Sequence, residues 1–283
     1  MDGPDPSANP ETSAIWPELW AAFAPHRIRI TGMLQEAAVA KPCTLSVWGA
    51  GRTTDLDLIE LINHFSRIDL VDLDSAITEK ALLQRGFENH QQVNARGGVD
   101  LCGLNSDWDL FCRSPDENRL HEMIEKCAHF QLDLGTYDVL VSTCLLSQIL
   151  IKAVDSIQSS NLEESIQANL LPRMLRAIRE KHVELMLAHT RPGGTALLVT
   201  DLTSAEALPE ILQKEADLNQ LLSNEVAGGN HFHGMNPHLI YQLGQIPAIA
   251  NQLAQMQVSP PWVWNSIESQ YLCVAIRLQK KQS

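Results

Sequence analysis

A glycine-rich turn between two short apolar runs is the feature that most constrains how this chain can fold. The first run, residues 45–48, leads directly into Gly49 and Gly51, and polar residues after the turn open an amphipathic segment. About twenty residues beyond the glycines, a second apolar run ends at Asp72. Glycine allows close approach of the backbone to a ligand, and an acid at the tip of the neighbouring strand can accept hydrogen bonds from both hydroxyls of a ribose. The succession of strand, glycine turn, helix, strand and acid predicts a βαβ unit that binds a nucleoside-containing cofactor.

The bulk composition is typical of a globular protein outside the secretory pathway. The 283 residues are 45% apolar, enough for a sizeable core in one large domain over residues 15–283. Residues 1–14 are polar and proline-rich, and we interpret them as a disordered lead-in rather than a secretion signal. No apolar run approaches the roughly 18 to 20 residues that span a bilayer, and the six cysteines lack CxxC spacing. These features predict a cytoplasmic protein with reduced thiols and no membrane partner.

The charge balance bears on the class of substrate. A formal net charge of −13 repels phosphate backbones, so nucleic acid is not predicted as a partner. Solubility alone is the more ordinary reason for such acidity. Cys127, His121 and His129 match no standard ligand spacing, and no metal site is predicted.

Apolar and amphipathic segments alternate along the chain and predict strands and helices in turn. Helices are predicted at residues 15–40 (divided at Pro25), 53–64 (with Thr53 or Thr54 as N-cap), 75–85, 115–130 and 161–189. Strands are predicted at residues 44–48, 67–72, 87–95, 138–143 and 195–200, the last after a turn at residues 191–194. Residues 202–260 break this alternation and are interpreted as an inserted cap. The leading helices at 15–40 either lie over a site or pack on the sheet edge. The chain closes with two strands, 262–265 and 271–278, that predict an antiparallel hairpin.

Over roughly residues 40–280 the chain resembles the class I S-adenosylmethionine-dependent methyltransferases. Their sheet has seven mostly parallel strands and ends in an antiparallel hairpin, as residues 262–278 do here. The resemblance implies an α/β fold: a three-layer αβα sandwich with a seven-stranded sheet, to which this chain adds a helical cap. It also implies S-adenosyl-L-methionine as the cofactor. A nicotinamide-binding Rossmann domain would usually continue with further parallel units instead of a hairpin.

The resemblance assigns the first cofactor contacts to the glycine turn and the acid after the second strand. Gly49, Ala50 and Gly51 match the family's glycine-rich motif, which lies against the methionine part of the cofactor. Asp72 matches the acid that binds the ribose. Asp74 takes that role if the second strand extends further than predicted.

Two later strand ends complete the implied cofactor site. Asp100 and Leu101 match the motif that contacts the adenine amino group. Ser142 and Thr143, followed by Cys144, match the motif that borders cofactor and substrate together. The segment lacks the Asn-Pro-Pro-Tyr or Asp-Pro-Pro-Tyr signature of enzymes that methylate amino groups of nucleic-acid bases, so the resemblance does not imply such a substrate.

A base is needed for methyl transfer only where the acceptor is protonated, and histidine is the usual choice near neutral pH. His231 and His233 lie in a glycine-rich loop and would face the same side of an extended segment. We predict that one of them lines the acceptor site, although such histidines can also be surface residues or ligands of a divalent ion. Trp262 and Trp264 either cover a flat or cationic acceptor or pack in the core.

Together these features predict an S-adenosylmethionine-dependent methyltransferase that acts on a small molecule at oxygen or nitrogen. An NAD-dependent oxidoreductase could use the same glycine turn and acid. A methyltransferase-like domain that binds ligands without catalysis is the non-enzymatic alternative. No sequence feature specifies the oligomeric state.

Overall fold

The computed structural model describes residues 17–39, 42–228, 235–266 and 269–282. The predicted lead-in, residues 1–14, lies outside these ranges. The strands are β1 Thr44–Trp48, β2 Arg67–Val71, β3 Val93–Arg96, β4 Tyr137–Thr143, β5 Thr190–Ser204, β6 Leu253–Val258, β7 Trp262–Asn265 and β8 Gln270–Lys280. They form one sheet in the order β3-β2-β1-β4-β5-β8-β6, with β7 also paired to β8.

The helices fall between and after these strands. Residues 17–22 are helical, and the following helices are α1 Ala24–Ala37, α2 Leu58–Leu61, α3 Ser75–Gln84, α4 Asn105–Arg113, α5 Glu117–His129, α6 Leu145–Gln158, α7 Glu164–Ala188, α8 Leu218–Gly228, α9 Pro237–Leu243 and α10 Pro247–Ala250, with a 3₁₀ turn at Pro209–Leu212. Pro25 stands in the first turn of α1, where its missing N–H costs no hydrogen bond. The division of the leading helix at Pro25 is therefore as predicted.

Alternate residues of each central strand enter two separate cores. On β5, Ala196 and Leu198 pack into one cluster with α4 to α7, while Leu197 and Val199 pack into the other with α1 and α2. Both faces of a sheet must be apolar when helices cover both. The three-layer αβα sandwich predicted from the sequence is confirmed.

The sheet ends in the predicted hairpin, and β7 pairs antiparallel with β8 in the register Trp262↔Cys273. The structure adds β6, which pairs with β8 further along the chain. Because β5 occupies the other edge of β8, β6 and β7 follow each other along one edge. Pro260 and Pro261 separate them because proline cannot donate to the ladder. The eight strands of the described residues thus fill seven positions in the sheet. Strand β6 lies inside the segment predicted as a cap.

Three predicted elements differ from the structure. The predicted helix at 53–64 is reduced to the four residues of α2, and Asp57 is its N-cap, accepting from the N–H groups of Ile59 and Glu60. Thr53 cannot cap it because its φ of +55° belongs to the preceding turn. Strand β3 is much shorter than predicted, and the predicted turn at 191–194 is continuous with β5. Helix α6 was not predicted.

The described part of residues 202–260 packs mainly away from the glycine turn. Helices α9 and α10 contact α7, and Leu243 and Ile249 join the core on that face of the sheet. No helix among the described residues is both long enough and apolar enough to cross a membrane.

Candidate cofactor and acceptor site

The glycine turn at the end of β1 holds its backbone tightly against two neighbouring elements. Gly49 and Gly51 have φ angles of +73° and +45°, a region that glycine enters without strain. The N–H groups of Gly49 and Ala50 both donate to the Val71 carbonyl, at 3.0 and 3.2 Å. A Cβ on Gly49 would lie 2.8 Å from the Leu145 Cβ at the start of α6. The turn therefore leaves no room for a side chain at its first glycine.

Asp72 is the acid that closes this turn. Strand β2 ends at Val71, so Asp72 is the first residue beyond it. One carboxylate oxygen accepts from the Gly51 N–H at 2.8 Å, and the other accepts from the Asp74 N–H at 2.9 Å. Asp74 instead caps α3 by accepting from the Ile77 N–H at 3.2 Å. Asp72 therefore belongs to the glycine turn and Asp74 to the next helix.

Asp100 organises the loop before α4. Its carboxylate accepts from the N–H groups of Cys102, Gly103 and Asn105 at 3.0, 2.9 and 2.7 Å. Burial alone would raise the pKa of Asp100, but these donors outweigh it and hold the pKa below its usual value. Asp100 therefore presents an ionised carboxylate at this site at neutral pH.

These residues surround a cavity of about 460 Å³, which we call cavity I. Six of the residues implied by the resemblance line it: Gly49, Gly51, Asp72, Asp74, Asp100 and Leu101. The opposite wall comes from α6, through Leu145, Gln148, Ile149 and Lys152. Lys152 is the one cation that lines it among the described residues, and its ammonium donates to the Asn105 side chain at 3.1 Å. Cavity I is thus rich in carboxylates.

A second cavity of about 450 Å³, cavity II, lies on the other side of the glycine turn. It shares Gly49, Gly51 and Gln148 with cavity I. Its other walls carry aromatic and acidic residues from the leading helices, the loop after the glycine turn, β5 and the hairpin: Phe23, Asp55, Asp201, Trp264 and Tyr271. Ala50 and Thr143, which the resemblance implies as cofactor contacts, line this cavity rather than cavity I. The aromatic lining includes Trp264, one of the two tryptophans singled out in the sequence.

The remaining predicted residues lie elsewhere. Ser142 is buried, its hydroxyl lies 2.9 Å from the His182 Nε2, and it lines neither cavity. The histidines predicted as a base, His231 and His233, lie outside the described residues. Within the described ranges, no three His, Cys, Asp or Glu side chains group in a way that could hold a metal ion.

Sequence reasoning missed the wall formed by α6. Its buried residues Leu146, Leu150, Ala153 and Ile157 recur at helical spacing, a signal that was available in the sequence. The helix begins at Cys144, which takes a left-handed φ of +47° so that the chain turns sharply out of β4. Asp55, a second omission, gave no signal beyond an acid near an expected helix start.

Comparison with known proteins yields matches in structure only. No family model matches the chain, and no curated protein matches it either. The YcgJ protein from Bacillus subtilis shares 11% identity over 89% of this chain and 98% of its own, with a TM-score of 0.44. The N-methyltransferase NodS from Bradyrhizobium japonicum shares 10% identity over 91% and 98%, with a TM-score of 0.43. An O-methyltransferase family protein from Burkholderia thailandensis shares 11% identity over 90% and 57%, with a TM-score of 0.41. At these values the matches carry nothing about the reaction, which has to be inferred from the site.

We expect Gly49→Ala to weaken nucleoside binding in cavity I by at least about tenfold, because the new Cβ must displace Leu145 from the cavity wall. Gly86→Ala is the matched control: Gly86 has a φ of +72° but open space around its Cβ position. Left-handed backbone strain should cost both variants about 1–2 kcal/mol of unfolding free energy, and overpacking against Leu145 should cost Gly49→Ala about 1 kcal/mol or more in addition. Calorimetric titration with S-adenosylhomocysteine separates them, and equal loss of affinity in both would contradict a steric role for Gly49.

Proposed function

We propose that this protein is an S-adenosylmethionine-dependent methyltransferase that acts on a small molecule at nitrogen or oxygen. The observation that carries the proposal is the contact between the two cavities at Gly49, Gly51 and Gln148. A transfer reaction needs donor and acceptor at near-attack distance in a site that excludes water. Two cavities that adjoin at a backbone turn can hold a donor and an acceptor at that distance.

The residues of cavity I fit an adenosyl sulfonium. Each oxygen of Asp72 accepts one hydrogen bond from the described residues. A carboxylate oxygen has room for a second donor, here a ribose hydroxyl. The second oxygen of Asp100 accepts from the Asn105 N–H alone among the described residues and can take an adenine amino group. The carboxylates of Asp72, Asp74 and Asp100 favour a cation in the cavity.

The sulfonium supplies an activated methyl group, and the protein's part is mainly to position the two reactants. The tight turn at Gly49 brings backbone, rather than a side chain, to the junction of the cavities. Asp72 stiffens that turn through the Gly51 N–H. Leu145 and Ile149 give cavity I an apolar wall. These contacts pre-order the site before the reactants bind, which lowers the entropic cost of reaching the transition state.

The same geometry weighs against a dinucleotide cofactor. NAD brings a pyrophosphate, which usually binds at the N-terminus of the helix that follows the glycine turn. Here that helix is α2, which has four residues and begins only at Leu58. The three carboxylates of cavity I would also repel the phosphates.

A small acceptor is supported by the size and lining of cavity II. Its volume of about 450 Å³ is in the range of small-molecule pockets. Its aromatic rings offer flat apolar faces, and its acids would repel a phosphate backbone. Nucleic acid therefore does not enter the proposal.

Thermal unfolding with S-adenosylhomocysteine and with NADH tests the proposal. We expect S-adenosylhomocysteine at about 100 times its Kd to add about 2.7 kcal/mol of unfolding free energy and raise the melting temperature by several degrees. NADH at the same concentration should leave it unchanged. Stabilisation by NADH alone would overturn the proposal. Binding of S-adenosylhomocysteine without methyl transfer to any of a panel of amines, phenols and alcohols would indicate the non-catalytic module.

A further inference from the structure

Asp55 lines cavity II, and one of its carboxylate oxygens has no hydrogen-bond partner among the described residues. It follows the glycine turn, in a loop that Arg27 and Arg85 fix by donating to the carbonyls of Thr54 and Thr53 at 3.3 and 3.1 Å. The side chain is 17% exposed. Its Oδ1 atom is fully buried and accepts no hydrogen bond from the described residues. A buried carboxylate oxygen in that state disfavours the charged form, and the exposed remainder of the carboxyl group is what a ligand in cavity II can reach.

His26 on α1 faces that same oxygen. Its Nδ1 accepts from the Trp262 indole N–H at 3.0 Å, so the neutral ring carries its proton on Nε2. The Nε2 atom lies 3.7 Å from Asp55 Oδ1 and has no hydrogen-bond partner among the described residues. The ring is 1% exposed and stacks on Trp264 with centroids 4.8 Å apart. Two aromatic neighbours thus fix a histidine whose free N–H is directed at Asp55.

We propose that Asp55 is the catalytic base of cavity II, that His26 positions it, and that the acceptor is a small molecule carrying an amine. This inference rests on the proposed methyltransferase function and names its substrate class and base. The described lining of the cavity supplies two carboxylates, Asp55 and Asp201, against one cation, Arg52, together with the aromatic side chains of Trp264 and Tyr271. The excess negative charge attracts an ammonium group.

The surroundings of Asp55 bring the pKa of its carboxyl group close to neutral pH. Burial raises the pKa of Asp55 to about 7, and the nearby charge of Arg27 limits the rise. Burial also lowers the pKa of His26 to about 3, so the ring stays neutral and adds no positive charge. The titratable groups that face Asp55 come from four elements and the glycine turn: His26, Arg27, Arg52, Cys144, Asp201 and Cys273. A base with a pKa near the working pH is the most effective.

The reaction balances with these groups alone. The Asp55 carboxylate takes a proton from the ammonium of the acceptor, which leaves a neutral amine with a free electron pair. That pair forms the new N–CH₃ bond while the C–S bond of the donor breaks, and its electrons remain on sulfur. The products are a methylated ammonium, a neutral thioether and a protonated Asp55, which then releases its proton to solvent.

The pKa of Asp55 selects an amine over an aliphatic alcohol. A lysine-like ammonium has a pKa of about 10, so proton transfer to Asp55 is unfavourable by about three orders of magnitude. For an alcohol with a pKa near that of water, about 15.7, proton transfer to Asp55 is unfavourable by about nine orders of magnitude. A phenol matches the amine in acidity but carries no charge for Asp55 and Asp201 to attract.

Binding of three probes of similar shape tests the substrate class. Benzylamine, benzyl alcohol and benzoate are titrated into protein saturated with S-adenosylhomocysteine. We expect benzylamine to bind at least about tenfold more tightly than the other two. Asp55→Asn should remove that preference while binding of S-adenosylhomocysteine remains unchanged. Asp109→Asn, a matched change at an exposed position of α4, should leave both unchanged.

The outcomes separate this inference from the proposed function. Failure of S-adenosylhomocysteine to bind would overturn both. If S-adenosylhomocysteine binds, three results would overturn the amine site alone. They are no binding of benzylamine, equal affinity for benzylamine and for benzyl alcohol or benzoate, and an unchanged preference for benzylamine in Asp55→Asn.

A pH profile tests the role of His26 and does not depend on the Asp55 variant folding. Benzylamine affinity in the wild-type protein should fall as the pH drops through about 7, because Asp55 then becomes neutral. His26→Phe keeps the ring stack but removes the N–H directed at Asp55, so the anion is less favoured and the midpoint should move to higher pH. A profile without a midpoint near 7, or an unchanged midpoint in His26→Phe, would contradict the assigned roles.

Discussion

Asp72→Asn should weaken S-adenosylhomocysteine binding by about 100-fold, whereas Asp74→Asn should change it by no more than about threefold. Both oxygens of Asp72 already accept a backbone N–H, from Gly51 and from Asp74. The amide of the variant must turn its NH₂ group toward one of these donors. It thereby loses the ribose contact that we propose for Asp72 and loosens the glycine turn. Hydrogen bonds to charged groups contribute about 1.5–3 kcal/mol each. Weakening two of them accounts for the 100-fold loss of affinity.

Asp74→Asn is a matched control because it makes the same change of charge two residues away. Asp74 lines cavity I but uses its carboxylate to cap α3, and asparagine caps a helix about as well as aspartate. Calorimetric titration gives both affinities. An equal loss in the two variants would show that only the charge of the cavity matters, and a larger loss in Asp74→Asn would move the ribose contact to Asp74.

The fold could be predicted because its signals are local. The strands at 44–48, 67–72 and 138–143 are short apolar runs bounded by turn residues, and the structure reproduces them within a residue or so at either end. The closing hairpin was equally clear from two β-rich segments joined by a polar turn. Strand β6 was missed because it is an edge strand whose residues are mostly exposed, so burial imposes no apolar pattern on it.

The site could be predicted only where a motif fixes it. The glycine turn, Asp72 and Asp100 follow strand ends whose positions the pattern gives. Asp55 could not be predicted, since its burial depends on α1 and the hairpin, which are far from it in sequence. Contacts between residues so far apart in sequence produce no periodic pattern of apolar residues around them. The expected helix at 53–64 also placed Asp55 in its first turn, where the helix dipole is sufficient reason for an acid.

A buried acid in β2 is the centre of the polar network with the largest expected effect on stability. The Asp69 side chain is fully buried and accepts from Arg67 at 2.6 and 2.9 Å, from the Tyr137 hydroxyl at 2.6 Å and from Asn94 at 3.1 Å. Arg96 forms a further ion pair with it at 2.9 Å. Burial alone would raise the pKa of Asp69, but these donors outweigh it and hold the pKa below its usual value. The network ties β2 to β3 and β4.

Asp69→Asn should therefore lower the free energy of unfolding by about 3 kcal/mol, the low end of the cost of breaking a buried ion pair. We choose the low end because Arg67 and Arg96 are 47% and 33% exposed and can regain water. Tyr137→Phe removes a single donor and should cost about 1.5 kcal/mol, while Asp109→Asn on the exposed face of α4 should stay within about 0.5 kcal/mol.

The contribution of Asp69 to the free energy of unfolding should depend on pH. Because the native pKa of Asp69 is lowered, this contribution is complete above the unfolded pKa of about 3.9 and is lost as the pH falls toward the native pKa. Denaturant unfolding should therefore show the difference in unfolding free energy between wild type and Asp69→Asn in full at neutral pH, and this difference should shrink below about pH 4. A difference that is constant with pH would mean that the charge of Asp69 does not stabilise the sheet.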